Sequence, residues 1–517
     1  MNDRSELEGA RRLRLDACVG KGQVWRADLV ALALACCAFA GGPAAQVPAE
    51  EIARRQYESG LAFARNGNYT EALKDFQAVV ELHPTTAVAP KAWLQIGLYH
   101  LERAGDLGAA EAAADTILKK YPTSDAVAGA HILTGRATIA RSRRPADLTA
   151  AVASFDRVLR LFPDSAAVPE AFVHAGDALH LLGQPDEALE RYHRVLIDHP
   201  EDAWAAAAGL GAGMALAARG DAPGAMEQFQ RVRNRWPESR EAGVALKRQT
   251  ILYRLTIRAQ SGQVFSLRGE LPEGAAKRLQ LRALLMTPDD VLYYATNSGV
   301  GALMPPTAER PPGATRPRGL ALDAGGEIVV IEEGTLRPKR GAPLALAIPR
   351  AGRTTPQALE RIDAAVALPT GQWLVAAASE GAILRFTRRG EYEGPFSSAG
   401  VTRLAISLYA EVAALERETR TVLIFSAEGK LAGRIPARGP RYTLKNPRDV
   451  AYDAFGHLYV LDEAAVAIFD RQRQLVHLFS EPERSRGALR DASALAVDSA
   501  GRLYVADDAA GRVRIYQ

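Results

Sequence analysis

Proline closes a recurring helical unit five times in the first half of this chain. From Ile52 to about Gln260, apolar residues recur at helical spacing and strand signals are scarce. The closing prolines fall at intervals of 37 to 41 residues, at Pro84, Pro122, Pro163, Pro200 and Pro237. A fixed period of this length indicates stacked supersecondary units, because one unit cannot bury its apolar face alone. The sequence therefore predicts an all-α repeat module over residues 51–258.

The fourth unit shows the pattern of each repeat most clearly. Small residues are expected where two antiparallel helices cross, large apolar residues fill the space between them, and proline ends the second helix because it lacks an amide donor. In this unit those positions are Phe172, Ala175, Gly176, Leu179, Ala188, Tyr192, Val195 and Pro200. The pattern resembles the tetratricopeptide repeat (TPR), and the resemblance implies about five helical hairpins followed by a capping helix.

Several units end in a shared four-residue phrase, an aromatic residue followed by Pro, an acidic residue or Thr, and Ser. The phrase begins at Tyr121, Phe162 and Trp236. It resembles the endings of bacterial envelope TPR proteins, namely the outer-membrane assembly lipoprotein of the barrel-insertion machinery and the Tol-Pal-associated division coordinator. The resemblance implies protein binding in the cell envelope. One alternative that it raises is an accessory role in outer-membrane assembly or cell division.

In TPR proteins the inner helix of each hairpin lines a concave groove, which we predict to bind a partner protein or peptide. By register the groove residues are Arg54, Tyr57, Leu61, Lys91, Leu94, Leu98, Leu101, Ile132, Arg136, Ile139, Val173, Asp177, His180, Leu210 and Met214. This set is mostly apolar with scattered charge, which favours an amphipathic helix or an extended apolar segment as ligand. Alternatively, the fifth unit and the helix from Glu241 to Ile257 fill the groove with the protein's own side chains.

The second half of the chain has a residue pattern typical of an all-β domain. After Arg258, short alternating runs of Val, Ile, Leu and Tyr are separated by Gly, Pro and Asp. Turn glycines Gly456 and Gly501 stand 45 residues apart, a period typical of propeller blades. Blade-like segments start near Leu281, Arg318, Arg361, Val401, Arg448 and Ala492. We therefore predict a multidomain fold, an all-α TPR superhelix followed by a six-bladed all-β propeller over residues 263–517.

The last two blades carry phrases that resemble the NHL class of propeller. They are Asn446 to Ala451, Gly501 to Asp507 and Gly511 to Tyr516. The fourth blade, Val401 to Gly429, lacks the Asp-x-x-Gly turn of the others. Because a propeller with an open edge would expose unpaired amides, we predict that Gln263 to Arg268 adds an outer strand to the last blade.

Acidic residues in the propeller are candidates for catalytic or metal-binding groups. Asp323, Asp453 and Asp498 sit in two-strand turns, where aspartate bonds nearby amides and glycine takes positive φ. The pairs Glu332-Glu333, Asp462-Glu463 and Asp507-Asp508 lie where NHL-like lyases and lactonases could hold calcium or zinc. The propeller sequence contains only two histidines, His457 and His477, which argues against zinc and leaves calcium open. We predict no catalytic residue, cofactor or metal, with a lyase- or lactonase-like enzyme as the alternative.

Histidines in the TPR half cluster in one unit. His174, His180, His193 and His199 are spread around its helices, so we predict that they are solvated surface residues.

The N-terminus has the features of an export signal. The apolar run from Leu29 to Ala40 is preceded by basic residues and is too short for the roughly 20 residues of a spanning helix. We predict a leader over residues 1–40, cleaved after Ala40, and a linker over 41–50; an uncleaved anchor, or lipidation at Cys36 or Cys37, are alternatives. All three cysteines precede Ala40, which suits an oxidising compartment.

The charge balance limits the kind of partner. A formal charge of only +4, spread along the chain, gives no basic stripe that would follow a phosphate backbone, so nucleic acid is excluded as a partner. The sequence thus predicts a periplasmic, or membrane-anchored, protein-binding scaffold that meets the membrane only through an anchor or a lipid.

Overall fold

The computed structural model describes residues 48–517 except 261, 263, 273–279, 310, 315, 351, 482–484, 486 and 487. The predicted leader, with its cleavage site and its cysteines, lies outside the described residues. None of the described helices combines the length and the hydropathy that crossing a bilayer requires.

Eleven α-helices occupy residues 48–258, a stretch that is described throughout. They are α1 Ala49–Arg65, α2 Tyr69–Leu82, α3 Ala89–Tyr99, α4 Leu107–Lys120, α5 Ala126–Arg141, α6 Pro145–Leu161, α7 Val168–Leu181, α8 Pro185–Asp198, α9 Ala205–Ala218, α10 Ala222–Arg235 and α11 Arg240–Leu252. Two of them continue into π-helical turns, α3 through His100–Ala104 and α11 through Tyr253–Arg258.

Close glycine-to-aromatic packing joins the two helices of most hairpins. A Cβ atom on Gly176 of α7 would lie 2.6 Å from Cε1 of Tyr192 on α8, so no larger residue fits there without a shift. Gly60 of α1 stands in the same relation to Phe76 of α2, also at 2.6 Å. The predicted TPR arrangement, small residues at the helix crossing and aromatic residues across from them, is confirmed.

The described strands after residue 266 form six blades and two short ribbons. Blades 1 to 3 contain β2 Leu281–Met286, β3 Leu292–Thr296 and β4 Gly299–Met304; β5 Gly319–Leu322, β6 Ile328–Ile331, β7 Thr335–Pro338 and β8 Leu344–Ala345; and β11 Ala364–Ala367, β12 Trp373–Ala377, β13 Ala382–Phe386 and β14 Tyr392–Ser397. Blades 4 to 6 contain β15 Arg403–Ile406, β16 Val412–Glu416, β17 Thr421–Phe425 and β18 Leu431–Ile435; β21 Asp449–Tyr452, β22 Leu458–Leu461, β23 Val466–Phe469 and β24 Leu475–Phe479; and β25 Ala492–Val497, β26 Leu503–Asp507, β27 Arg512–Tyr516 and β1 Leu267–Leu271. The ribbons are β9 Ala347–Ile348 with β10 Gln357–Ala358, and β19 Arg438–Gly439 with β20 Tyr442–Thr443. The predicted six-bladed all-β module is therefore confirmed.

The propeller closes through its N-terminal strand. β1 pairs antiparallel with β27 as the outer strand of blade 6, with Leu271 opposite Val513. Ser266 and Gln517 also exchange backbone hydrogen bonds at 3.0 Å. The predicted closure is confirmed, although the pairing segment lies a few residues further along than Gln263 to Arg268 and ends at Leu271.

Each blade runs antiparallel from an inner first strand outward, to a fourth strand in blades 2 to 6 and to the third strand, β4, in blade 1. First strands β2, β5, β11, β15, β21 and β25 line one continuous channel of about 290 Å³. Turns between the first two strands of each blade therefore lie at one end of the channel, and the segments that lead into the first strands lie at the other. We call these ends the turn face and the entry face.

Candidate functional site

Predicted groove residues occupy different environments on the inner face of the TPR module. Arg54 is exposed, and eleven others are half-buried, namely Tyr57, Leu61, Lys91, Leu94, Leu98, Leu101, Arg136, Ile139, Asp177, Leu210 and Met214. Ile132 and Val173 are only 2% and 3% exposed and belong to the apolar cores between hairpins. These two side chains hold helices together and offer nothing to a partner.

The C-terminal end of the inner face is covered by the propeller. His180 is 7% exposed, and its Nε2 lies 2.9 Å from the hydroxyl oxygen of Tyr409 in the turn between β15 and β16. Leu210 and Met214 pack against a core cluster that also contains Phe455, from the turn between β21 and β22. The predicted residues at this end are thus placed against the turn face of the propeller.

Burial changes the chemistry of His180. Its pKa is lowered to about 4, mainly because burial disfavours the charged imidazolium, with a further contribution from the nearby Arg471. Arg471 itself lies over the Tyr409 ring, 3.5 Å from the ring centroid. The prediction that His180 is a solvated surface residue is therefore wrong, because the propeller covers its side chain.

Helix α11 and its π-helical extension make polar contacts with the same turn face. Arg254, 3% exposed, donates to the carbonyl oxygens of Ala500, at 3.1 Å, and Gly501. Arg248 donates to the Ser499 carbonyl at 3.1 Å, from a position earlier on the helix. These two arginines donate hydrogen bonds to the backbone carbonyls of a single propeller turn. The two modules are therefore in direct contact and are not joined by the linker alone.

Apolar contacts seal the junction between the modules. Phe229 of α10 is fully buried with its ring centroid 6.5 Å from that of Phe455. Ile251 and Leu255, at the end of α11 and in its extension, belong to the same core cluster as Tyr459 of β22. The alternative in which the fifth unit and α11 fill the groove is met only at this end, where Leu210 and Met214 pack against a cluster with residues of α10, α11 and the propeller.

Ion pairs cross between successive inner helices in the part of the face that the propeller does not touch. Lys91 of α3 pairs with Asp125 at 2.9 Å. Arg136 of α5 pairs with Glu102 at 2.5 Å and lies 3.6 Å from Glu170 of α7. The face is therefore more polar than the mostly apolar groove expected from register.

The turn face owes its shape to the side chains that cap its turns. Asp453 Oδ1 accepts from the amides of Phe455 and His457, both at 2.9 Å, and Gly456 has a φ of +80°. Asp323 and Asp498 make the same pair of bonds in blades 2 and 6, at 2.8 to 3.0 Å. The structural role predicted for the three aspartates is confirmed.

Blade 4 builds the same turn with different residues. Ser407 Oγ accepts from the amides of Tyr409 and Glu411, at 3.2 and 3.1 Å. Ala410 occupies the glycine position with a φ of +59°. A hydroxyl thus replaces the carboxylate, and this explains why the Asp-x-x-Gly pattern is absent from a blade that is nevertheless formed.

Acidic pairs that are candidates for metal ligands in the sequence are engaged with the protein itself. Glu332 accepts two hydrogen bonds from Arg337, at 2.9 and 3.1 Å. Asp462 accepts from the amides of Lys445 and Asn446, and the fully buried Asp507 forms an ion pair with Arg514 at 3.1 Å. Among the residues that the structure describes, no three His, Cys, Asp or Glu side chains come together in a way that could hold a metal ion.

Sequence reasoning missed a ring of arginines at the entry face. A cavity of about 580 Å³ opens there at the end of the channel, and its lining includes Arg282, Arg318, Arg361, Arg403, Arg417 and Arg448. The signal was present in the sequence, because an arginine stands at or near the start of the first strand in blades 1 to 5. It becomes visible only when the blades are aligned with one another.

Comparisons with known proteins agree with this architecture. Residues 49–172 match the model of a family described as an outer membrane lipoprotein, and residues 174–240 match a tetratricopeptide-repeat model. No curated protein sequence matches the chain.

Solved structures resemble the two modules separately. A gluconolactonase from Xanthomonas campestris is 16% identical, with a TM-score of 0.37, and the match covers 46% of this chain and 86% of that one. For the virginiamycin B lyase of Staphylococcus aureus the values are 11%, 0.34, 49% and 99%. A thermophilic TPR protein of Thermus thermophilus is 19% identical with a TM-score of 0.32, over 39% of this chain and 98% of its own.

Proposed function

We propose that this chain is a non-catalytic protein-binding scaffold of the bacterial cell envelope, in which the inner TPR face binds a segment of a partner protein. The similarity of residues 49–172 to an outer membrane lipoprotein family supports the envelope as its location. Repeat modules and propellers offer large rigid surfaces of the kind that generally bind proteins. The propeller supplies a second surface for a second partner.

The observation that carries the proposal is the way in which the two modules divide the inner face. At the C-terminal end, the turn face of the propeller covers His180, and Leu210 and Met214 pack against the cluster that joins the helices to the propeller. At the other end, the side chain of Arg54 keeps 51% of its exposure. A partner would therefore meet the first two or three repeats, where the inner helices α1, α3 and α5 line the face.

The chemistry of these repeats indicates what kind of segment fits. Leu61, Leu94 and Leu98 are half-buried, and the basic residues Arg54 and Lys91 lie on the same two helices, α1 and α3. The ion pairs of these two basic residues with Glu51 and Asp125 are solvent-exposed, which makes the pairs weak and easily exchanged. An amphipathic helix with acidic residues along one edge would satisfy both features.

Site-specific photo-crosslinking in the intact envelope tests the proposal. A crosslinker at Arg54 or Leu98 should capture one discrete protein, because both positions face the uncovered part of the inner surface. Matched positions on outer helices, Glu81 of α2 and Arg157 of α6, are exposed and serve as controls. Equal capture at all four positions, or no capture at the two inner ones, would sink the proposal.

Export is a separate part of the proposal and has its own test. We place the mature chain in the periplasm or anchored to a membrane that faces it, delivered by the leader over residues 1–40. Cell fractionation followed by mass spectrometry of the N-terminus should find a chain that starts at Gly41, or at a lipidated Cys36 or Cys37. A cytoplasmic chain that still carries Met1 would contradict this part alone.

A further inference from the structure

The entry face of the propeller concentrates positive charge around a cavity. Six of the fourteen residues that line the 580 Å³ cavity are arginines and two, Asp363 and Asp508, are acidic. Arg318 and Arg448 directly precede the first strands of their blades, and Arg403 begins one. The propeller fold therefore directs side chains from several blades toward one axis, and here most of the charged ones are guanidinium groups.

Not all of these arginines are equally neutralised by carboxylates. Arg318 and Arg361 have close partners, Glu333 at 3.0 Å and Asp363 at 2.7 Å. On the side of blades 4 and 5 the distances are longer. Arg403 Nε lies 3.6 Å from an oxygen of Asp449, and Arg448 Nη2 lies 3.8 Å from an oxygen of Asp491, both beyond hydrogen-bond length.

Arg417 has no carboxylate within ion-pair distance in the part of the chain that the structure describes. It belongs to the turn between β16 and β17 and faces the same cavity as Arg403 and Arg448. Although Arg417 is exposed, partial burial of its side chain lowers its pKa, and the positive charges of those two neighbours lower it further. Arg403, Arg417 and Arg448 thus bring three like charges to the lining of one cavity, and we call them the arginine triad.

The carboxylate that lies nearest to Arg403 makes its short hydrogen bonds to the backbone instead of to the arginine triad. The two oxygens of Asp449 are already held by backbone amides, those of Val450, at 3.0 Å, and Leu495, at 2.9 Å. On the other side of the ring, the Nε of Arg318 is buried without a hydrogen-bond partner. An unmatched donor therefore also lines the cavity on the side of blade 2.

We propose that the arginine triad binds a small oxyanion with more than one phosphate or carboxylate group. The planar guanidinium forms paired hydrogen bonds with either group, and an anion placed among three of them relieves their mutual repulsion. The cavity volume lies within the range of roughly 300 to 1,000 Å³ that is usual for small-ligand sites. Because the arginines line a concavity rather than a flat stripe, a compact ligand fits better than a polymer. This proposal does not depend on the protein partner of the TPR face.

Isothermal titration calorimetry on the full chain tests the proposal with two probes, inorganic pyrophosphate and citrate. Binding of either supports an oxyanion site, and the preferred probe tells phosphate from carboxylate. We expect Arg417→Ala and Arg403→Ala to weaken binding by roughly tenfold or more, the loss of one charge-assisted contact. Arg434→Ala, which removes an exposed arginine from the outer strand β18, should change affinity less than about twofold, as no contact is lost.

Folding and ligand size are controlled in the same experiment. Arg417 is exposed in a turn, so Arg417→Lys should fold normally and retain the charge; its weaker binding than wild type would show that the paired hydrogen bonds matter. Saturation by neither probe at millimolar concentration would overturn the proposal. So would equal weakening by Arg434→Ala, or tighter binding of a ten-residue polyglutamate peptide than of both small probes.

Discussion

Replacing Arg254 by methionine should separate the stability of the two modules. The arginine is buried, donates to the carbonyls of Ala500 and Gly501, and lies over the ring of Phe265 with 5.2 Å to the ring centroid. Methionine keeps much of the length and the apolar stem of the side chain but removes the guanidinium. Both carbonyls then lose a charged donor that water cannot easily replace.

The size of the effect follows from those contacts. Hydrogen bonds to a charged group contribute about 1.5 to 3 kcal/mol each, and the contact with Phe265 adds about 0.5 to 1 kcal/mol. Part of this is offset, because the variant no longer buries a charge; the same burial lowers the pKa of Arg254 in the wild type. We therefore expect a net loss of about 2 to 4 kcal/mol in the free energy of unfolding.

Differential scanning calorimetry measures this loss of stability and shows whether the two modules still unfold together. Because the contact lies between modules, Arg254→Met should split or broaden the unfolding transition as well as lower its midpoint. Arg240→Met changes an exposed arginine on the same helix and should cost less than about 0.5 kcal/mol. If Arg254→Met destabilises the chain no more than Arg240→Met does, the docking described above is not a stabilising interface.

Three further perturbations test other parts of the structure. The pKa of His180 is about 4 in the folded chain and about 6.5 in the unfolded chain, so folding favours its neutral form. About 3 kcal/mol of stability should therefore be present above pH 6.5 and be lost as the pH falls toward 4. In urea unfolding curves, His180→Gln should flatten this dependence of stability on pH, whereas His199→Gln should not. Gly176→Ala should cost about 1 to 3 kcal/mol in thermal unfolding, because the added methyl group would meet Tyr192, which is buried and whose hydroxyl donates to Asp177 at 2.8 Å. Gly243→Ala has open space around it and should stabilise α11 slightly. Equal effects of the two variants would argue against the close helix crossing. Arg420→Gly should stabilise the chain by about 1 kcal/mol, because Arg420 has a φ of +57° and an exposed side chain. Arg389→Gly, in another exposed turn, should not stabilise it. A loss of stability in Arg420→Gly would contradict the backbone conformation at this position.

The fold could be predicted from the sequence where local chemistry repeats. Gly176 and Tyr192 indicate a helix crossing, because a small residue must face a large one at that spacing. Asp453 and Gly456 indicate a turn, because the aspartate accepts hydrogen bonds from the turn amides and the glycine adopts a positive φ. Blade 4 shows the limit of such patterns. Ser407 and Ala410 fill the same two positions with a hydroxyl and a strained alanine, so the turn is present although its residue pattern is not.

The docking of the modules could not be predicted in this way. Arg254 donates to the backbone carbonyls of Ala500 and Gly501. Because every residue has a backbone carbonyl, such an acceptor cannot be recognised from the residue types in the sequence. Register also misplaced Ile132 and Val173, since a small rotation about the helix axis separates the inner face from the packed one. The arginine triad was missed for a different reason, because a single arginine at the start of a strand, like Arg403, or in a turn, like Arg417, looks like an ordinary surface residue.

Hydrogen–deuterium exchange on the full chain, with and without the protein captured by crosslinking at Leu98, tests most directly whether the inner TPR face is the binding surface. Bound partner should slow exchange in the inner helices α1 and α3, while the helix end near His180, already covered by the propeller, should not change. Protection confined to the outer helices α2 and α4, or no change in α1 and α3, would contradict the scaffold that we propose.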